Sequence, residues 1–169
     1  MGVVNLKSTS VTNADATPPV QNKQGFDGGR IRRKLGKASI TSGDSSTSTY
    51  RLFRISSGDT IDKLFISCPD IGTTTVCSIG LYDEPRINGG AVVDVDFFGA
   101  SISLKDGALA NSDVTHGNVI TLANTEKKVW EQLGLNEDPR KLYDVAITLT
   151  ADADGTGVLA ARLMYVDGN

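Results

Sequence analysis

The chain has little of what enzymes and metal sites are built from. Its 169 residues include one histidine, one tryptophan and two cysteines, and aromatics make up 6%. His116 sits between Thr115 and Gly117 in a loop-like context, with no nucleophile or orienting group in a pattern that would make it a catalytic base. No Gly-x-Ser-x-Gly elbow occurs. Cys68 and Cys77 lack zinc-ligand spacing. They flank the turn residues Pro69-Asp70-Ile71-Gly72, so a bridge is geometrically conceivable, but two buried free thiols on neighbouring strands are the expected state. No apolar run is long enough to cross a bilayer, and the N-terminus lacks the apolar stretch of a signal peptide. Leu6 stands where a myristoylation signal needs Ser or Thr. The expectation is a soluble protein, made and used without export, with no membrane partner and no cofactor.

Small and turn-forming residues are abundant, with 18 glycines. The charge is lopsided. The net charge of −3 divides into +5 over residues 1–37 and −8 over the remainder. Residues 1–37 are polar and punctuated by Pro18-Pro19 and Gly28-Gly29, which break any continuous helix. Such a segment cannot bury enough apolar surface to order itself. Residues 1–37 are therefore expected to form a basic extended arm, and residues 38–169 a single folded domain.

Within that domain, 47–55, 60–67 and 74–82 show β-branched and aromatic residues in near alternation and read as strands. Residues 142–150 and 157–166 read as two more, joined as a hairpin by Asp152-Ala153-Asp154-Gly155. Residues 100–104 suggest a short strand, and 118–122 either a strand or an irregular buried segment. Residues 124–134 suggest a helix capped by Asn124 or Thr125 and stopped by Gly134. Many short strands with one helix imply an all-β fold: a jelly-roll-like antiparallel β-sandwich with an extended N-terminal arm. No strand–helix alternation points to a parallel sheet.

Asn88-Gly89-Gly90 is strong turn chemistry. It leads into Ala91-Val92-Val93-Asp94-Val95-Asp96-Phe97-Phe98, where Asp94 and Asp96 share one face of an extended chain. A general acid and base or a cation site are conceivable there. The expected role is a structural corner whose carboxylates accept backbone N–H groups or touch a neighbouring subunit. Asp152-Ala153-Asp154-Gly155 resembles the start of a calcium loop but lacks the third ligand and the distal Glu. Arg30, Arg32, Arg33, Lys34 and Lys37 form a dense positive cluster. Its spacing is wrong for a phosphate loop, and no aromatics interleave it for base stacking. Salt bridging to an acidic protein surface or a neighbouring subunit is the expected use, ahead of a solvated tail or nucleic acid.

The segments Tyr50-Arg51-Leu52-Phe53-Arg54, Ile79-Gly80-Leu81-Tyr82-Asp83 and 88–98 resemble small virion proteins of tailed bacteriophages. So do Val129-Trp130-Glu131-Gln132-Leu133-Gly134-Leu135 and 143–150. The resemblance runs from about residue 40 to the end and leaves the arm uncovered. It implies a head-decoration (cement) protein made in the bacterial host cytoplasm. Such a protein attaches to the outer surface of an icosahedral shell and bridges major capsid protein subunits. A homotrimer is expected, with a dimer as the alternative. The resemblance supplies no catalytic residues, and no enzyme activity is expected. The competing expectation is a glycan- or receptor-binding module of a phage fibre or tail, although the sequence offers few aromatic platforms for sugars.

Overall fold

The computed structural model describes residues 6–105 and 107–168. Among these residues, eight strands run in chain order: β1 (Ile31–Ile40), β2 (Thr49–Ser56), β3 (Thr60–Cys68), β4 (Val76–Asp83), β5 (Val92–Ser103), β6 (Leu109–Asp113), β7 (Leu142–Leu149) and β8 (Gly157–Val166). Two antiparallel sheets form, in the orders β1-β8-β3-β6 and β2-β7-β4-β5. Most connections cross from one sheet to the other, and this strand order is that of a jelly roll built from two Greek keys. The β4–β5 link stays within a sheet. It turns at Asn88, Gly89 and Gly90, all with positive φ, as the Asn-Gly-Gly chemistry requires.

Inward positions of both sheets close one core. Ile55, Leu64, Ile66, Ile79, Leu81, Val145, Ile147 and Leu163 are fully buried. Phe97 and Phe98 are buried edge to face, with ring centroids 5.0 Å apart. They lie within one long strand, β5, rather than in a loop followed by a short strand. Residues 118–122 form no strand, yet Ile120 is buried.

Four expectations change. The folded body begins at Ile31, because β1 pairs with β8 from Ile31↔Val166 to Ile40↔Gly157; the expected boundary between 37 and 38 falls inside this strand. The arm is not extended throughout. It carries α1 (Thr9–Ala14), capped by the Ser8 hydroxyl, which accepts the Val11 N–H at 3.3 Å; residues 1–5 of the arm lie outside the described residues. The helix expected over 124–134 shrinks to one turn, α2 (Val129–Gln132). Its first N–H groups are taken by the β2–β3 corner: Val129 N–H donates to the Asp59 carbonyl (2.9 Å) and Trp130 N–H to the Ser57 carbonyl (3.0 Å). Asn124 instead closes a turn by accepting the Thr121 N–H at 2.6 Å.

Finally, β7 and β8 are not a hairpin, since they belong to opposite sheets. The link between them is held open from both sides. The Asp154 carboxylate accepts from Thr73 N–H (2.9 Å), Thr73 Oγ1 (2.6 Å) and Thr74 N–H (3.0 Å). Asp152 accepts the Ser46 N–H at 2.6 Å. The donors at Thr73 and Thr74 hold the Asp154 carboxyl far below the usual carboxylate range.

Candidate functional site

The basic cluster lies on β1, an edge strand, and the period-2 alternation of that strand splits it. Gly36, Ala38 and Ile40 point inward and are buried. Arg32 and Lys34 share their parity and are used within the chain. Arg32 pairs with Asp167 at 2.8 Å. Lys34 donates to the Arg54 carbonyl and lies over the Tyr165 ring at 4.9 Å. Arg33 and Lys37 point outward and are exposed, beside Ile31 (60% exposed) and Leu35 (50%). Neither cation has a partner among the described residues. Arg30 precedes the strand and is exposed.

Register builds the rest of that outer face. Leu35 opposes Arg162, which opposes Phe65, which opposes Asp113; Arg33 opposes Met164, which opposes Lys63. Arg162 and Lys63 therefore join a cationic face that the basic cluster in the sequence did not reveal. Their signal was alternation in strands 157–166 and 60–67, readable only once the pairing is known. Arg162 makes one long bond to the Asn111 side chain (3.4 Å), and its buried Nε has no acceptor. Val158 is 48% exposed on the same face. Two carboxylates stand among these residues: Asp113, already engaged by the Thr115 N–H (3.0 Å) and hydroxyl (2.6 Å), and exposed Asp62, next to Lys63 at the β3 bulge.

The outer face of the other sheet is closed over. Asp144 is buried and accepts from Arg51 (2.9 Å) and Arg54 Nε (2.7 Å). Arg54 also pairs with Glu84, and Arg51 donates to the carbonyls of Asp83 (3.0 Å) and Gly90 (2.8 Å) while covering the Tyr82 ring. Buried Asp83 takes Lys141 at 2.7 Å, and that bond is the main cause of a carboxyl pKa below the ordinary value.

Asp94 and Asp96 sit where β5 bulges. Two steps along β4, from Leu81 to Ile79, oppose five along β5, from Asp94 to Gly99. The extra chain folds over Gly80, where an added Cβ would stand 2.1 Å from the Asp94 carbonyl oxygen. Asp94 Oδ1 accepts the Asp96 N–H at 3.2 Å. Burial first, and then the neighbouring Asp96 carboxyl, push the Asp94 pKa up. Among the described residues, no three His, Cys, Asp or Glu side chains gather as a metal-binding group. His116 is exposed, with Nδ1 3.2 Å from the Ile120 carbonyl oxygen. Cys68 and Cys77 are free and buried on facing sheets rather than neighbouring strands, and burial pushes the Cys77 thiol up to about 12. Such thiols are poor nucleophiles. An open cavity of about 450 Å³ lies between the arm and the C-terminal strand, lined by Lys23, Gln24, Trp130, Glu131 and Val166 among others. No helix among the described residues is long and apolar enough to cross a membrane.

No family model and no curated protein matches the chain. Solved structures do. A chain in the capsid of Ralstonia phage GP4 matches with a TM-score of 0.58 at 12% identity, covering 83% of this chain and 86% of that one. A chain in the cyanophage Pam1 capsid asymmetric unit matches with a TM-score of 0.51, also at 12% identity and with the same coverage. A chain in the acidic stable capsid of Helicobacter pylori bacteriophage KHP30 aligns more loosely, with a TM-score of 0.41 at 15% identity, covering 83% and 95%. At these identities the shared property is the fold.

Proposed function

We propose that this protein is a non-enzymatic virion structural protein that decorates the outside of a phage capsid and bridges major capsid protein subunits. The observation that carries the reading is the fold: the jelly roll is similar over 83% of its length to chains in two phage capsids at TM-scores above 0.5. The chemistry agrees. The carboxylate pair at Asp94 and Asp96 is tied into a bulge, and the thiols are buried. Bridging suits such a body, because each added contact between capsomers must break together with the others. A homotrimer at a local symmetry axis is the expected state, since closed rings are the usual solution for identical subunits.

The test is to mix the full chain with purified heads lacking it and follow co-sedimentation, with light scattering of the free protein for its oligomeric state. Binding to heads and a trimeric mass are the expected results. Absence from heads, with clear hits on a glycan array, would replace the reading with a receptor-binding module. A truncation testing the arm should remove residues 1–30, because β1 begins at Ile31. It should weaken attachment while leaving the melting transition in place.

A further inference from the structure

We infer that the outward face of the β1-β8-β3-β6 sheet, centred on Arg33, Leu35, Lys37, Lys63 and Arg162, docks on an acidic, partly apolar patch of the assembled shell protein. The inference rests on the decoration reading and adds which surface does the work and what it meets. Three observations carry it.

The first is charge. Arg33, Lys37, Lys63 and Arg162 come together on one face by register, against two carboxylates, Asp113, already held by Thr115, and Asp62, at the edge of the face beside Lys63. The chain as a whole is acidic, at −3, so this face runs against the average of the molecule. Complementary charge then selects an acidic partner.

The second is that these cations have bonding capacity left. Arg33 and Lys37 have no partner among the described residues. Arg162 has one long bond, to Asn111; its orphaned Nε is buried, so its terminal nitrogens are what remain to meet a carboxylate. On the opposite sheet, Arg51, Arg54 and Lys141 are all engaged by carboxylates of the same chain.

The third is the apolar filling. Leu35 and Val158 are half exposed on the face, and Met164 and Phe65 are half-buried between the cations. Apolar side chains with arginine interspersed are the composition of protein interfaces. A surface that stacks nucleic-acid bases would present exposed aromatic rings, whereas Phe65 is half-buried with Lys63 over its ring. A second copy is disfavoured by symmetry, because a two-fold contact through this face would set its cations against their own equivalents.

The test compares the full chain with Arg33→Glu/Lys37→Glu and with Arg86→Glu. Arg86 is an exposed cation on the β4–β5 loop, away from this face. Heads lacking the protein are the probe. The double variant should bind at least about tenfold more weakly, the loss growing smaller as salt is raised, and Arg86→Glu should stay within about twofold of the parent chain. Equal coating by the double variant, or an equal loss in Arg86→Glu, overturns the inference while the decoration reading stands. Failure of the parent chain to bind heads removes the decoration reading, and the inference falls with it. If the double variant does not fold, lysine acetylation of the parent chain decides: Lys37 and Lys63 should be protected on heads while Lys127 stays reactive. Equal reactivity on and off heads overturns the proposal. So does protection already present in the free oligomer, which would assign the face to a second copy. A duplex-DNA gel shift lost in the double variant, with head binding intact, would assign it to nucleic acid.

Discussion

β1 and β2 are both edge strands, one in each sheet, and both carry exposed cations. On β2, Arg51 and Arg54 fold back over the sheet to reach Asp144, Glu84 and the carbonyls of Asp83 and Gly90. The β5 bulge completes the cover by lying on Gly80. As a result β4 and β7 are buried on both faces. On β1, Arg33 and Lys37 point away from the body with no acid beside them, and half-exposed Leu35 stands between them. One set of cations stabilises the protein's own fold; the other is left for something else. The residue types are the same, and what differs is whether carboxylates stand opposite across the ladder.

The sharpest break of the closed face is Gly80→Val. A Cβ there would stand 2.1 Å from the Asp94 carbonyl oxygen and 2.3 Å from the Val95 carbonyl carbon, so the bulge must move. A loss on the order of 3 kcal/mol in urea denaturation is expected. Next comes Arg51→Met/Arg54→Met, which leaves the buried Asp144 carboxylate without its cations. The melting temperature should fall by on the order of 8 °C. The matched pair on the open face, Arg33→Met/Lys37→Met, should shift it by no more than about 2 °C. Equal losses in the two pairs would erase the distinction between the faces.

Two carboxylates on the closed face should respond to pH in opposite directions. Lys141 holds Asp83 below its ordinary pKa, so that pairing stabilises the fold above the ordinary carboxylate range and is lost as pH falls through the lowered value. Lys141→Met should therefore flatten the acid limb of a plot of melting temperature against pH. Asp94 is shifted upward, so its ionisation costs stability as pH rises past the ordinary carboxylate range. Asp94→Asn should raise the melting temperature by about 1–2 °C at pH 7 and leave it unchanged at pH 3. A loss at pH 7 would mean that the Asp94 charge is needed where it sits.

Much of the sandwich could be read from alternation. The strands at 60–68 and 157–166 alternate because each has one face on the core, and those at 49–56, 76–83 and 142–149 show as runs of β-branched and aromatic residues, the last two buried on both faces. β6 escaped, since Leu109-Ala110-Asn111-Ser112-Asp113 is short and mostly polar and is ordered by pairing with β3. The helix that local propensity predicts over 124–134 is cut to one turn because the Asp59 and Ser57 carbonyls take its first N–H donors. β1 does not read as a strand in the sequence because Arg32, Arg33 and Lys34 mask its alternation, which becomes clear only from Gly36 onward. Of the site, the positive cluster and the Asp94–Asp96 pair were legible as residues, but the division of the cluster between internal and outward roles was not.

By itself the sequence determined the class of fold, the turn at Asn88–Gly90, the buried free thiols and the excess of positive charge near the N-terminus. These depend on local periodicity, on φ preference and on composition, which need no partner strand to be expressed. Only the tertiary structure decided which cations are consumed and which remain. That outcome depends on the register that brings Asp144 to Arg54 and leaves Arg33 opposite Met164, and register is a relation between strands more than 80 residues apart, set by the packing of the whole core.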